Sequence, residues 1–392
     1  MKKFAQQKRG TPLFHFLIFT ACITAFSPQL VAERSPRYSV IPLGTPGTDH
    51  AWSENFMYPE YINKKGDIVG QRGSGVVLYR DGTIYELGYP REPLENGWTS
   101  AINDRGEILG VAFAESSVSF VLQSLPRPLL VADARNLPVP AFVAMDVNNG
   151  GTIIGYIYNR QDDTITPVVY HDGRITELPS LFPGRYASPF SINDRGQILG
   201  QAAFHDGVDR PNGAPGLRAV IWSGGRLKNL GVLPGFHDSH GASINDRGEA
   251  VGHCYGPEGF GGFIYRHGVM RPLPSPPGAR HTFATRINNA GDVLVHVIPW
   301  RENDEASVPY DSFWLYADGA LHDLTAMVAW PSRWRVQALY LSDINDRGEI
   351  VGVAHYLDRN HRFFTQGILL VPRNNGNRGR ISRSDGPFIA PR

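Results

Sequence analysis

The chain has 392 residues, with 38 Lys and Arg against 37 Asp and Glu, a formal net charge of +1, 43 glycines, 30 prolines and 2 cysteines. Two cysteines exclude a disulfide scaffold and a zinc ribbon. The absence of a basic surplus excludes a nucleic-acid binder, and so much glycine and proline suits many short strands joined by turns.

Residues 1–32 read as an export signal. Lys2, Lys3, Lys8 and Arg9 form a basic start, Leu13 to Phe26 an apolar core, and Leu30-Val31-Ala32 a small-residue cleavage site. The apolar run is interrupted by His15 and Thr20 and falls short of the ~20 residues that span a bilayer. The mature chain is therefore expected to be extracellular or periplasmic, without a membrane span. Phe19-Thr20-Ala21-Cys22 resembles a lipoprotein-processing box that would lipidate Cys22, but leucine is usual where Phe19 stands, so free secretion is preferred. The signal holds four cations and no acid, so its removal leaves a net charge of −3.

From residue 62 onward one phrase organises the chain. Ile-Asn-Asp-Arg-Gly stands intact at Ile102 to Gly106, Ile192 to Gly196, Ile244 to Gly248 and Ile344 to Gly348. Looser copies stand at Ile62 to Gly66, Val147 to Gly151 and Ile287 to Gly291. The motif asparagines Asn63, Asn103, Asn148, Asn193, Asn245, Asn288 and Asn345 are spaced by 40, 45, 45, 52, 43 and 57 residues. That is the period of a four-stranded propeller blade. Asn opens a tight turn through its side chain, and Gly66, Gly106, Gly151, Gly196, Gly248, Gly291 and Gly348 accept the positive φ that closes it. These fourteen residues are the structural turns of the repeat. Each then leads through a second strand and an apolar third strand, such as Ala219 to Trp222, to a glycine turn (Asp81-Gly82, Asp172-Gly173, Gly224-Gly225, His267-Gly268, Asp318-Gly319) and a fourth strand.

The last repeat supplies Phe363 to Val371 as a third strand and has no fourth. Tyr38 to Gly44, YSVIPLG, matches the pattern of fourth strands and precedes the first motif. The expected fold is thus all-β, a seven-bladed β-propeller over residues 37–372, four antiparallel strands per blade, closed by the N-terminal strand completing the last blade. Residues 373–392 hold five arginines and one aspartate among Asn, Gly and Ser, which reads as a disordered basic tail.

With these phrases in view, INDRGEILG and DINDRGEIVG followed by AVIWSGGRLKNLG or SFWLYADGALHDL, the chain resembles the HAF-repeat family of extracellular bacterial proteins over about residues 38–371. The His-Ala-Phe triplet is not intact, since its sites read GVVLY, RAVIW and SFWLY, and Val295 replaces the closing glycine of the sixth copy, where an irregular blade is expected. The resemblance implies an exported repeat protein and carries no catalytic residues.

Tight turns joining strands one to two and three to four share one face, so the long connections around 203–217, 298–311, 88–98, 231–239 and 325–334 share the other. Variable loops on a rigid scaffold are the place for a site. His237, His240 and His253, beside Asp238 and Cys254, are the candidate metal ligands, although their spacing fits no zinc pattern and surface histidines are the plainer reading. The motif turns are too short for a calcium loop. Trp52, Trp98, Trp330, Trp334, Tyr58, Tyr61, Tyr186 and Phe236 suit sugar or peptide stacking or inter-blade packing. Asp206, Asp209, Glu302, Asp304 and Glu305 are loop acids with no fixed separation. Arg105, Arg195, Arg247 and Arg347 form a basic ring only if neighbouring acids leave them free. No nucleophile elbow, phosphate loop, dinucleotide fingerprint or HExxH is present, so no cofactor is expected. The reading is a monomeric binding or scaffolding module whose partner is a protein or carbohydrate of the cell envelope or outside, with a polysaccharide hydrolase or lyase as the alternative.

Overall fold

The computed structural model describes residues 37–48, 56–73, 75–87, 96–113, 117–123, 129–133, 142–159, 164–182, 186–205, 215–299 and 311–373. The chain divides into Met1–Arg34 and Ser35–Arg392, and all described residues belong to the second unit. The export signal with Cys22, the tail beyond Arg373, Trp52 and the loop acids lie outside the described residues.

The fold is an all-β propeller arrangement of about six blades, each a sheet of four antiparallel strands in chain order. In the Asn193 sheet these are Ala187–Ile192, Ile198–Phe204, Gly216–Ser223 and Arg226–Asn229. A further sheet has five strands, in the order Val328–Ala329, Tyr38–Thr48, Phe363–Pro372, Ile350–Leu357, Arg335–Ile344. Tyr38–Thr48 pairs antiparallel with Phe363–Pro372 from Tyr38 opposite Pro372 to Thr48 opposite Phe364. Val328–Ala329 adds parallel to Tyr38 and Ser39, a fifth strand that the repeat pattern does not foresee. It follows a one-turn helix, Leu324–Met327, capped where the Asp323 carboxylate accepts from Thr325 N at 2.8 Å.

The core lies between sheets rather than within one. Ile154 of the Asn148 sheet packs with Ala187, Ile192, Val220 and Trp222 of the Asn193 sheet, and Leu199 and Ile221 of that sheet pack in turn with Ala250 and Phe263. Third strands such as Gly216–Ser223 and Phe363–Pro372 are buried on both faces through their middle residues, which is why they read as unbroken apolar runs. Each such large side chain contributes roughly 1.5–3 kcal/mol by leaving water.

Both turn types follow from backbone chirality. The seven motif glycines have φ between 72° and 91°, and the third-to-fourth hairpins put two successive residues at positive φ, as at Asp81 (49°) and Gly82 (84°). That is the mirror-image turn favoured by the twist of paired strands.

Every first strand also carries a bulge at one repeat position, as between Ala144 and Asp146, Pro189 and Ser191, or Leu341 and Asp343. The bulge explains the second glycine of the repeat. A Cβ on Gly252 would stand 1.9 Å from the His240 carbonyl oxygen, and one on Gly155 2.1 Å from that of Val143. In the sixth copy Val295 occupies this place opposite Ala284. That sheet keeps four strands and the common bulge, and gains a second register shift between Ala279 and His281.

Candidate functional site

The first strands of all seven sheets contribute to a central channel, whose two ends are built differently. At the tight-turn end each motif asparagine is nearly fully buried and serves two blades. Asn245 Oδ1 accepts from Arg247 N and Glu249 N, both at 3.0 Å, and its Nδ2 donates to Glu249 Oε2 at 2.7 Å and to Asn288 O of the next sheet at 3.0 Å. The same inter-sheet bond runs from Asn63 to Asn103, Asn103 to Asn148, Asn148 to Asn193, Asn193 to Asn245 and Asn288 to Asn345. Asn345 Nδ2 then donates to Asn63 O at 3.0 Å, joining last motif to first. Sequence reasoning finds the turn role of these asparagines and misses the staple between blades, because it depends on a neighbour at least 40 residues away.

A second ring follows from the next motif position. Lys64, Asp104, Asn149, Asp194, Asp246, Asn289 and Asp346 line a cavity of about 180 Å³. Each residue from Lys64 to Asn289 donates its backbone N–H to the side chain of the next, at 2.7–2.8 Å. Asn149 and Asn289 donate to the carboxylates on either side, and Lys64 Nζ lies 2.9 Å from Asp346. Hydrogen bonds from Asn289 and Lys64 outweigh burial and hold the Asp346 carboxyl below its ordinary value, while the Asp346 bond pushes the lysine up. The motif arginines are not a free basic ring. Arg105, Arg247 and Arg347 pair with Glu107, Glu249 and Glu349 at 2.7, 2.7 and 2.5 Å. This end satisfies itself.

Above the ring of motif isoleucines the channel widens to a cavity of about 540 Å³. The residue after each bulge sets its chemistry: Tyr61, Ala101, Asp146, Ser191, Ser243, Arg286 and Asp343 all line it. Asp343 accepts from Ile62 N of the adjoining sheet at 3.0 Å and from Ile344 N at 2.9 Å, and Arg286 Nε lies 3.5 Å from it. The Arg286 guanidinium also sits 5.6 Å from the centre of the Tyr61 ring and donates to Thr285 O at 3.0 Å. Asp146 accepts from Val147 N at 2.8 Å and Ile192 N at 2.9 Å. Burial pushes its carboxyl up to about 7 against the lowering effect of those bonds. Burial also raises Asp343, and takes Glu60, whose carboxylate accepts from the Thr99 hydroxyl, up to about 7.

His240 and His253 line the same cavity toward the loop-rich end, with rings stacked at 5.1 Å. Burial lowers both, His253 to about 4, so they stand neutral at pH 7. From His253 a belt of rings continues through Phe283, His296, Phe313, Tyr340, His355 and Phe363, at centroid distances of 4.8–6.5 Å, across three sheets.

The candidate metal ligands are only partly brought together. His237 lies apart from the stacked pair, its carbonyl accepting from Arg218 at 2.7 Å. Among the described residues no group of three His, Cys, Asp or Glu is placed to hold a metal. Cys254 faces the core, its sulfur 3.9 Å from that of Met270, and burial pushes its thiol up to about 11. The aromatics separate similarly. Trp334 is buried against Tyr356 at 4.3 Å with Trp330 beside it at 6.3 Å, and Phe236 fills the space over Gly261. Tyr61 lines the channel and Tyr58 packs edge-on against Phe56. Trp98 and Tyr186 remain exposed, the latter with its hydroxyl bound to Gln201. The His–Phe belt is not legible in the sequence because its members lie in different repeats and meet only where neighbouring sheets pack, although His253 and His296, and Phe283 and Tyr340, hold equivalent places in their repeats. Among the described residues no helix is long and apolar enough to cross a membrane.

No protein-family model matches the chain, and no curated protein does. Among solved structures it is similar to Ycf48 bound to D1 peptide, at 11% identity and TM-score 0.48, covering 88% of this chain and 97% of that one. It is similar to the extracellular domain of a one-component system from B. thetaiotaomicron, at 12% identity and TM-score 0.46, and to a triple arginine-to-alanine mutant of AofleA from Arthrobotrys oligospora, at 12% and 0.40. The former match covers 87% of this chain but only 40% of the bacterial one, and the latter 71% and 88%.

Proposed function

We propose that the protein is an exported, monomeric seven-bladed β-propeller of the HAF-repeat type, closed by its N-terminal strand, that binds a protein or carbohydrate partner at the loop-rich end of the channel. The chain of asparagine bonds returning from Asn345 to Asn63 and the pairing of Tyr38–Thr48 with Phe363–Pro372 support the blade count and the closure. One observation carries the binding reading: the larger cavity opens beside a continuous belt of rings at one end, whereas the polar groups at the other end are matched to one another. Aromatic faces next to a partly polar cavity suit stacking on sugar rings or peptide side chains.

The test is binding of the purified chain to glycan and peptide arrays. Tyr255→Ala with Tyr340→Ala, which removes two exposed rings, is expected to weaken capture at least about fivefold, roughly 1 kcal/mol. Lys64→Ala at the opposite end is expected to leave it unchanged. The reverse ranking overturns the reading.

A second reading is an extracytoplasmic hydrolase or lyase acting on polysaccharide. It is favoured by Asp146, whose carboxyl titrates near 7 in the same cavity as Asp343 and His240. It ranks below binding because both oxygens of Asp146 already accept backbone N–H groups. Turnover of a polysaccharide, abolished in Asp146→Asn, would raise it above.

A further inference from the structure

Seven equivalent residues follow the seven bulges, and their shared task is modest. At four positions the side chain accepts the isoleucine N–H of the next sheet: Asp343 from Ile62, Asp146 from Ile192, Ser191 from Ile244 at 3.3 Å and Ser243 from Ile287 at 3.4 Å. A serine hydroxyl therefore suffices, and Ala101 and Arg286 show that two positions do without an acceptor side chain. A carboxylate brings the same bond together with a charge that must be desolvated. At Asp343 that charge is met by Arg286 from the neighbouring sheet. At Asp146 no cation stands within ion-pair distance among the described residues, Arg286 acting on it only from farther off, and the carboxylate lines a cavity of about 540 Å³. The lining thus holds two carboxylates against one guanidinium, and its two histidines contribute no positive charge at neutral pH. Met145, beside Asp146, and Phe190, from the adjoining first strand, give the same cavity apolar wall.

We propose that this cavity is a binding site for a small organic cation, a primary ammonium group on an aliphatic or sugar stem, with the ammonium paired to Asp146 and the stem against Met145 and Phe190. The volume falls in the range of small-ligand pockets. The cation supplies the charge that Arg286 supplies to Asp343, and the bulge layer becomes neutral. This inference rests on the assignment of binding to the wide end of the channel and specifies what the cavity itself takes.

Isothermal titration calorimetry on the full chain at pH 8 tests it, with n-butylammonium and glucosamine as probes, 1-butanol and N-acetylglucosamine as neutral counterparts, and sodium and calcium as inorganic cations. At least one amine is expected to bind with Kd below about 1 mM while its neutral counterpart does not. Asp146→Ser, which copies the residue at two equivalent positions, is expected to unfold at a temperature close to the parent's and to weaken amine binding at least about tenfold. Asp146→Asn provides the second variant should the serine form fold poorly, and the same loss is expected of it. Absence of amine binding by the folded parent overturns the proposal. So do equal binding by both Asp146 variants, equal binding of the neutral analogues, or equal binding of the inorganic ions. Capture of glycans or peptides that persists without amine binding removes the cation site alone. Amine binding without any glycan or peptide capture removes the broader partner reading alone.

Discussion

The two ends of the channel are built from the same seven strands, and they differ in how completely their polar groups are spent. At the tight-turn end every charged side chain of the Lys64–Asp346 ring meets a donor or acceptor within the ring, and three of the four motif arginines, Arg105, Arg247 and Arg347, are held by glutamates two residues on. Only a few residues further along, past the isoleucines, the post-bulge layer varies from Ala101 to Arg286 and encloses a cavity three times as large, about 540 against 180 Å³. Repetition closes one end because a turn that satisfies its neighbour can be copied around the ring. The other end has room for a ligand because its equivalent positions have diverged.

The comparison can be broken most severely at Arg286. Arg286→Met leaves Asp343 without its cation and is expected to lower unfolding stability by about 3–5 kcal/mol. Adding Asp343→Ser, the residue found at two equivalent positions, should recover most of that loss. Urea denaturation of both variants is the measurement, and equal stability of the single and double variants would show that the pair is not a coupled unit.

At the opposite end, Asn345→Ala removes the side-chain bonds to Arg347 N, Glu349 N, Glu349 Oε2 and Asn63 O. At about 0.5–1.5 kcal/mol per bond, partly replaced by water, the expected loss is about 2–3 kcal/mol. A loss below about 0.5 kcal/mol would show that the ring of staples is not what holds the tight turns together.

A smaller effect sharpens the contrast through pH. Asp146 titrates near 7 in the folded protein against an ordinary value of 3.8, so between these values the folded state holds the proton that the unfolded state has lost. The contribution is full below pH 4 and is lost as pH rises through 7. His240 and His253 act oppositely, since their lowered values leave the unfolded chain the more protonated below 6.5. Arg286, Asp343 and Tyr61 share the cavity. Comparing Asp146→Ser with the parent isolates the carboxyl: from pH 5 to pH 8 the variant should gain stability relative to the parent by about 1–2 kcal/mol. At the rim, Asp346 is held below its ordinary value, so replacing it should show no such gain in this range. Parallel pH profiles for Asp146→Ser and the parent would break the comparison.

The legibility of the molecule divides along the same line. The repeat of Asn and Gly at 40 to 57 residues, the apolar third strands and the Asp-Gly hairpins were readable because turn chirality and strand burial act within a few residues. Connection length pointed to a loop-rich end, whose long segments lie largely outside the described residues, and gave no account of which side chains meet there. Of the residues singled out there, His240 and His253 meet and His237 does not, while Trp334 and Phe236 turn into the core. Bulges decide the rest. One extra residue in each first strand determines which side chain enters the channel, and no local pattern marks it except the glycine opposite, whose reason is a carbonyl on another strand.

By itself, then, the sequence determined the blade unit, its turns and the end at which turn length does not vary, since these depend on backbone conformation and on strands adjacent in the chain. Only the tertiary structure decided that the motif asparagines bond blade to blade, that Arg286 answers Asp343, and that Asp146 lines a cavity with no cation within ion-pair distance among the described residues. Those relations join residues from different repeats, at distances set by how the sheets pack around the channel, and a one-dimensional pattern has no term for them.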